Sequence, residues 1–272
     1  MKIKKLSRLL RKIFLMAKII IKTDEQIEGI RQSSKLAGSA LIMIEEYVKE
    51  GVNTEYLDRI INEYILDHGA VSATLGYNGY PKTSCISLNE VVCHGIPSPD
   101  VVLKEGDILN IDITTILNGY YGDTSKMFRV GQISPAAERL IKVTKHCLNL
   151  GIQQVRPGNY FGNIGFVIGR YAKAQQFSVV YEYCGHGVGI NFHEEPQVDH
   201  IARRNSGAIM QPGMTFTIEP MINEGKPTTR IDRFDGWTSR TSDGRLSAQF
   251  EHTILVTEEG YEVLSDVTGE YN

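Results

Sequence analysis

The sequence predicts an α+β fold made of two related halves, and three observations carry that expectation. Alternating apolar residues run from Ile108 to Leu117, stop at Asn118-Gly119, and give way to a second strand-like run to Phe128. That is the pattern of a hairpin closed by a two-residue turn. Apolar residues at helical spacing mark three more stretches, before Gly51, after Thr54 and after Pro135. The second half then repeats the first. Val48 to Gly51 matches Val155 to Gly158, Leu57, Ile60, Ile61 and Tyr64 match Ile164, Val167, Ile168 and Tyr171, and Gly106 matches Gly213. Leu109 matches Phe216 and Ile111-Asp112 lands on Ile218-Glu219, all at one offset of 107 residues. A single offset shared by helix, turn and strand marks an internal duplication, and a site between such halves is lined from both.

In chain order, Lys and Arg are the only charges before Asp24, and Leu6, Leu9, Leu10 and Ile13 share one helical face. A signal peptide fits poorly, because Lys18 interrupts the apolar run and no small-residue cleavage site follows. A basic amphipathic helix touching a membrane or the ribosome is one reading. The preferred one is that Met16-Ala17 starts the chain proper and residues 1–15 are an upstream extension, within a basic N-terminal segment over residues 1–18. Thr23-Asp24-Glu25-Gln26 fits a capping box, opening a helix through Ile27, Ile30, Ala37, Leu41, Ile44 and Val48 to Gly51. A second helix runs from Thr54 to His68-Gly69, and Val71 to Pro99 is strand and loop. Beyond the hairpin, Ser134-Pro135 caps a long helix with Leu140, Val143, Cys147 and Leu150 inward. Phe177–Tyr183, Met214–Ile222 and Phe250–Val256 read as strands.

A chain of 272 residues that is 42% hydrophobic can bury a large core. A net charge of −3 gives no basic footprint for nucleic acid. Cys85, Cys93, Cys147 and Cys184 lack C-x-x-C spacing, which points to a reduced, cytoplasmic protein and away from cysteine-bound zinc.

Counting back from the turn sets Leu117 opposite Tyr120 and Thr114 opposite Asp123, so Asp112 and Asp123 share a face as diagonal neighbours. Alone, Asp123 reads as a turn residue and Asp112 as a solvent-facing charge on an edge strand. As a buried pair they need partners, or they neutralise. Three candidates lie downstream. His186 sits among glycines in Cys184-Gly185-His186-Gly187-Val188-Gly189, without the G-x-G-x-x-G spacing of a dinucleotide loop. Glu219 is the one charge in Met214–Ile222, and Glu251 opens the last strand. Each alone is a loop residue or a strand-end charge. Together, Asp112, Asp123, His186, Glu219 and Glu251 bring four carboxylates, which two divalent cations would balance. Oxygen-rich ligation with one imidazole suits Mn, Fe, Co or Zn. Two such ions about 3.5–4 Å apart share and activate a water, so the set suggests a two-metal hydrolase.

Ile111-Asp112-Ile113-Thr114 followed by Gly122-Asp123-Thr124-Ser125-Lys126-Met127-Phe128, with YCGHGVG from Tyr183, FHEEP from Phe192, GMTFTIEPM from Gly213, SAQFEHT from Ser247 and NEVVCHGIP from Asn89, resemble the type I methionine aminopeptidases. The resemblance spans Ile19 to Val267 and is greatest to the short bacterial form. It implies a pita-bread fold: one catalytic domain over residues 19–272, with pseudo-symmetric halves at about 24–133 and 134–267, a curved antiparallel sheet and outer helices. By the family pattern Asp112 chelates one divalent ion, His186 and Glu219 hold the other, and Asp123 and Glu251 bridge both; Glu219 is also the proton shuttle. His94 and His193 flank the scissile amide. Tyr77, Tyr80, Cys85, Phe192 and Trp237 match the methionine pocket, which suits a thioether among aromatic rings. Asn89, Val91 and Ser247 match a site for one Na or K ion. Ile190-Asn191 departs from a more usual glycine- and arginine-containing pair at the pocket rim.

The implied function is a cytoplasmic, monomeric enzyme that removes the initiator methionine from nascent chains with a small second residue. Its partners would be nascent N-termini and, transiently, the ribosome, with no nucleic-acid specificity and no membrane span. Two alternatives stay open. A proline-specific peptidase of the same fold usually carries a sizeable extra N-terminal domain. A non-catalytic pita-bread binding module tends to lose ligands, whereas all five are present here.

Overall fold

The computed structural model describes residues 18–271. The basic N-terminal extension expected from the sequence lies, apart from Lys18, outside the described residues. Helix α1 (Asp24–Met43) and α2 (Thr54–Asp67) precede strands β1 (Val71–Ser72), β2 (Cys85–Leu88), β3 (Val91–Cys93), β4 (Ile108–Leu117) and β5 (Tyr120–Arg129). Helices α3 (Pro135–Ile152) and α4 (Gly162–Ala174) follow, then β6 (Ser178–Val179), β7 (Gly185–Gly187), β8 (Glu194–Val198), β9 (Thr215–Ile218) and β10 (Met221–Asn223). The chain closes with β11 (Thr229–Ile231), β12 (Ser239–Thr241), β13 (Ser247–Gln249), β14 (Glu251–Val256) and β15 (Tyr261–Val263).

The helix starts follow their caps. Thr23 and Gln26 form the reciprocal capping box, Asn53 Oδ1 accepts the Tyr56 N–H at 2.8 Å, and Ser134 caps α3 with Pro135 in its first turn. The first helix is shorter than its periodicity predicts. It ends at Met43 and tightens into a 3₁₀ turn over Ile44–Tyr47, through which Ile44 and Val48 still reach the core. In α3 it is Leu148 rather than Leu150 that is fully buried, one turn on from the buried Thr144. The expected strand Phe177–Tyr183 pairs only over Ser178–Val179. Met214–Ile222 divides into β9 and β10 at Glu219-Pro220, where proline has no N–H for the ladder.

The hairpin has the predicted register. Leu117 pairs with Tyr120 and Thr114 with Asp123, across a turn whose Asn118 and Gly119 both have positive φ (53° and 84°), as a type I′ turn requires. The hairpin belongs to a nine-stranded sheet with the path β1-β4-β5-β14-β9-β7-β8, β2 adding to β4 and β15 to β14. Strand alternation divides β4. Leu109, Ile111 and Ile113 enter a core with Leu36, Ala40, Leu41, Leu57, Ile61 and Ile65 of the first two helices. A second core gathers Leu140, Cys147 and Ile152 of α3, Ile164 and Ile168 of α4, and Phe216, Ile218 and Ile254. Helix α1 crosses the hairpin so closely that a Cβ on Gly122 would come within 2.2 Å of the Ser34 nitrogen.

Candidate metal and catalytic site

Five consecutive strands of the large sheet, β4-β5-β14-β9-β7, each bring one predicted ligand to the same face. Asp112 pairs with Ser125 and Ser125 with Glu251, so these three stand in a row across β4, β5 and β14. Asp123 sits two residues along β5, opposite Thr114. The His252–Ile218 pair brings the next residues, Glu251 and Glu219, opposite each other at the end of β9. On β7, the His186 N–H donates to Thr217 Oγ1 at 3.0 Å. The sheet thus collects residues 139 positions apart in sequence, from Asp112 to Glu251.

The side chains converge. His186 Nε2 lies 3.6 Å from Asp123 Oδ2 and 3.6 Å from Glu219 Oε1, and ligand atoms of Asp123, His186 and Glu251 all lie within 4.8 Å of one another. Nδ1 of His186 lies 3.0 Å from the Gly187 carbonyl. A proton there leaves the Nε2 lone pair facing the carboxylates, the tautomer a metal needs. Thr114 Oγ1 donates to Asp123 Oδ1 at 2.8 Å, Thr217 Oγ1 to Glu219 Oε1 at 2.8 Å and Gln249 Nε2 to Glu219 Oε2 at 3.2 Å. The Glu219 N–H donates to His200 Nε2 at 3.1 Å.

No Lys or Arg is among the described residues lining this cavity. Burial, and the neighbouring carboxylates with it, raise Asp112, Glu219 and Glu251 well above the usual carboxylate range. Burial lifts Asp123 to about 7, against hydrogen bonds from Thr114 and Thr124. A protein holding four buried acids with no basic partner needs either protons or cations there. Four carboxylates and an imidazole presenting its lone pair fit two divalent cations in charge and donor type.

The same cavity, about 310 Å³, opens onto an aromatic end. Tyr77 packs on Phe192 with ring centroids 4.7 Å apart, and Trp237 meets Tyr80 edge-on at 5.3 Å. Cys85 lines the wall as a buried thiol that burial holds protonated. Tyr80 presents its ring, because its hydroxyl donates to the Gly95 carbonyl at 3.0 Å. At the junction of the two ends stand His193, its ring 4.1 Å from that of His186, and His94, 6.0 Å from Trp237. His94 has φ 57°, a left-handed conformation that is uncommon outside glycine and turns its ring into the cavity. Burial lowers His186 to about 4; burial with His186 and His94 nearby lowers His193 to about 3; burial alone lowers His94. All three are neutral imidazoles at pH 7.

Twelve predicted positions therefore meet in one cavity: Asp112, Asp123, His186, Glu219, Glu251, His94, His193, Tyr77, Tyr80, Cys85, Phe192 and Trp237. Asn89, Val91 and Ser247 do not line it. They gather behind it, where the Ser247 N–H donates to the Asn89 carbonyl at 2.9 Å and Val91 pairs with Arg240. Sequence reasoning passed over Thr74, Thr114, Glu182, Tyr183, Cys184 and Met221 on the cavity wall. Thr114 was within reach, since the hairpin register already set it opposite Asp123. Thr217, Gln249 and His200, which brace Glu219, had no local signal.

The fold and this cluster of predicted ligands define a class of protein, the metallopeptidases. The sequence matches metallopeptidase family M24 over residues 28–258, and the chain belongs to that family. The methionine aminopeptidase of Escherichia coli strain K12 is 55% identical over 248 residues, 91% of this chain and 94% of that protein. The crystal structure of the methionine aminopeptidase from Rickettsia prowazekii superposes with a TM-score of 0.90 at 46% identity, covering 92% of this chain and 100% of that one. The expected pita-bread fold is thereby observed. A prolidase from Pyrococcus furiosus, at TM-score 0.71 and 22% identity, shares the fold alone, and this chain spans 66% of it.

Proposed function

We infer that the chain is a metal-dependent methionyl aminopeptidase that removes the initiator methionine from nascent proteins whose second residue is small. One observation carries the reading: four carboxylates and an imidazole from adjacent strands meet an aromatic pocket in one cavity, with two further histidines at the join. The pocket is the right chemistry for one unbranched thioether side chain, since sulfur–ring contacts add to its burial.

Asp112 would hold one divalent ion, His186 and Glu219 the other, and Asp123 and Glu251 both, with Co, Mn, Fe or Zn as candidates. When bound, such ions supply Lewis acidity and lower the pKa of a water. Glu219 takes up and returns the proton at its carboxylate, which Thr217 and Gln249 hold in place. His193 and His94, both held below the ordinary imidazole range, offer N–H donors to the scissile amide, where negative charge grows on its oxygen. Tyr77, Tyr80, Cys85, Phe192 and Trp237 exclude water from the methionine side chain.

Main-chain carbonyls around Asn89, Val91 and Ser247 are read as the seat of one Na or K ion. What supports this is the buried Ser247 Oγ without a hydrogen-bond partner, and the same state of Asn223 Oδ1 across the ladder. Residues 19–272 are read as one catalytic domain with halves at 24–133 and 134–267; Gly51 and Gly158, paired by the sequence offset, have φ of 83° and 81°. A substrate that exists as chains leave the ribosome argues for a cytoplasmic, monomeric enzyme in transient ribosome contact. Among the described residues no helix is long and apolar enough to cross a membrane.

A peptide panel tests the reading. Methionine release from Met-Ala-Ser, with little from Met-Lys-Ser or Leu-Ala-Ser and none from Ala-Pro, supports it. Cleavage of Ala-Pro in preference to Met-Ala-Ser replaces it with a proline-specific peptidase.

A further inference from the structure

Lys22 and Glu194 form an ion pair withdrawn from water, Nζ to Oε2 at 2.7 Å, with side-chain exposures of 0% and 3%. The other carboxylate oxygen of Glu194, Oε1, accepts the backbone N–H groups of Ile190 and Asn191 at 2.6 and 2.7 Å. Lys22 is itself anchored, its own N–H donating to the Gly213 carbonyl at 2.9 Å. One carboxylate therefore clamps a turn whose remaining residues are Phe192 and His193. Phe192 packs on Tyr77 in the pocket wall, and His193 lies against His186 at the ligand row.

A buried ion pair is weak evidence for a stabilising role, since apolar side chains in the same space are often as stable or more so. Its distinguishing property is direction. With Lys22 on Oε2, the carboxylate is held in one plane, so Oε1 stays under both amides. Without Lys22 a buried carboxylate lacks a countercharge. It swings toward water, and the turn loses its clamp. We propose that Lys22 and Glu194 are positioning residues for the reaction, a buried strut that sets the turn carrying Phe192 and His193 over the substrate. The proposal rests on the reading of His193 as a substrate-facing group.

The test uses metal-loaded enzyme, Met-Ala-Ser turnover, amide exchange at Ile190 and Asn191, and the variants Lys22→Met, Lys22→Met/Glu194→Met and His193→Ala. Lys22→Met is expected to lower kcat by about tenfold to hundredfold, the scale of an ångström's misplacement of a reacting group, and to speed exchange at both amides. The double methionine variant removes both charges and keeps the packing. It is expected to melt no lower than wild type and still turn over slowly, which separates positioning from stability. Adding Lys22→Met to His193→Ala is expected to change kcat by less than about twofold, because both act through one group. The strut is overturned if both amides keep wild-type exchange in the folded Lys22→Met protein, or if the double methionine variant works at the wild-type rate. If His193→Ala keeps wild-type kcat, the catalytic reading of His193 fails, and amide exchange still decides the strut.

Discussion

Thr217 braces two of the predicted ligands with one hydroxyl, so Thr217→Val is the sharpest local perturbation of the site. The hydroxyl accepts the His186 N–H at 3.0 Å and donates to Glu219 Oε1 at 2.8 Å, and Thr217 is 0% exposed. Valine fills the same space, leaving two losses. A buried N–H without a partner costs about 1–3 kcal/mol, and a hydrogen bond to a charged acceptor contributes about 1.5–3 kcal/mol. With metal bound and Glu219 ionised, Thr217→Val should therefore destabilise the protein by about 2.5–6 kcal/mol. Ligands that lose their orienting partner bind metal about 10–100-fold more weakly. Urea unfolding in excess Mn measures the first quantity and calorimetric titration of stripped protein the second. Stability within about 0.5 kcal/mol of wild type, the range of a neutral surface change, together with unchanged metal affinity would refute the reasoning.

Glu219→Gln keeps the shape and removes the proton acceptor, and should lower kcat by at least about 10²-fold in a stopped assay of methionine release. Gly122→Ala places a methyl group against the backbone of Ser33 and Ser34. It should cost about 1–3 kcal/mol as α1 lifts from the hairpin, read by thermal unfolding. The metal-free protein should also melt higher as pH falls from about 8 to about 7. Asp123 is raised to about 7 when folded, against about 3.9 unfolded, so the folded state holds the extra proton and stability falls as pH rises through that window. Below about 6.5 the trend is opposed, because His186 and His193 are lowered by burial and the unfolded state takes up their protons first. Metal-loaded protein should lack the rise between pH 8 and 7, its carboxylates carrying cations in place of protons.

What was legible in the sequence follows from how local each determinant is. The Asn118-Gly119 turn fixes the strand register by simple counting, so the shared face of Asp112 and Asp123 follows from the order of residues alone. Caps at Thr23 and Ser134 announced their helices for the same reason. Glu219 and Glu251 join the two aspartates in the sequence only through charge balance, because the pairing of β9 with β14 that sets them side by side depends on tertiary contacts. The left-handed backbone of His94 left no trace in its neighbours. Lys22 and Glu194 are 172 residues apart, and the first closes a run of basic residues with no acid among them, so nothing in the chain paired them. The strand expected over Phe177–Tyr183 shortens because only Ser178–Val179 finds a partner, in β10.

The most direct test of the account is methionine release from Met-Ala-Ser as Mn, Co, Fe or Zn is titrated back, singly, into metal-stripped protein. The account predicts no release without metal and restored release on addition of at least one of these ions, abolished again by Asp123→Ala, which removes a carboxylate read as shared by both ions. Full release from stripped protein, or no release with any ion from protein shown to be folded, would contradict it.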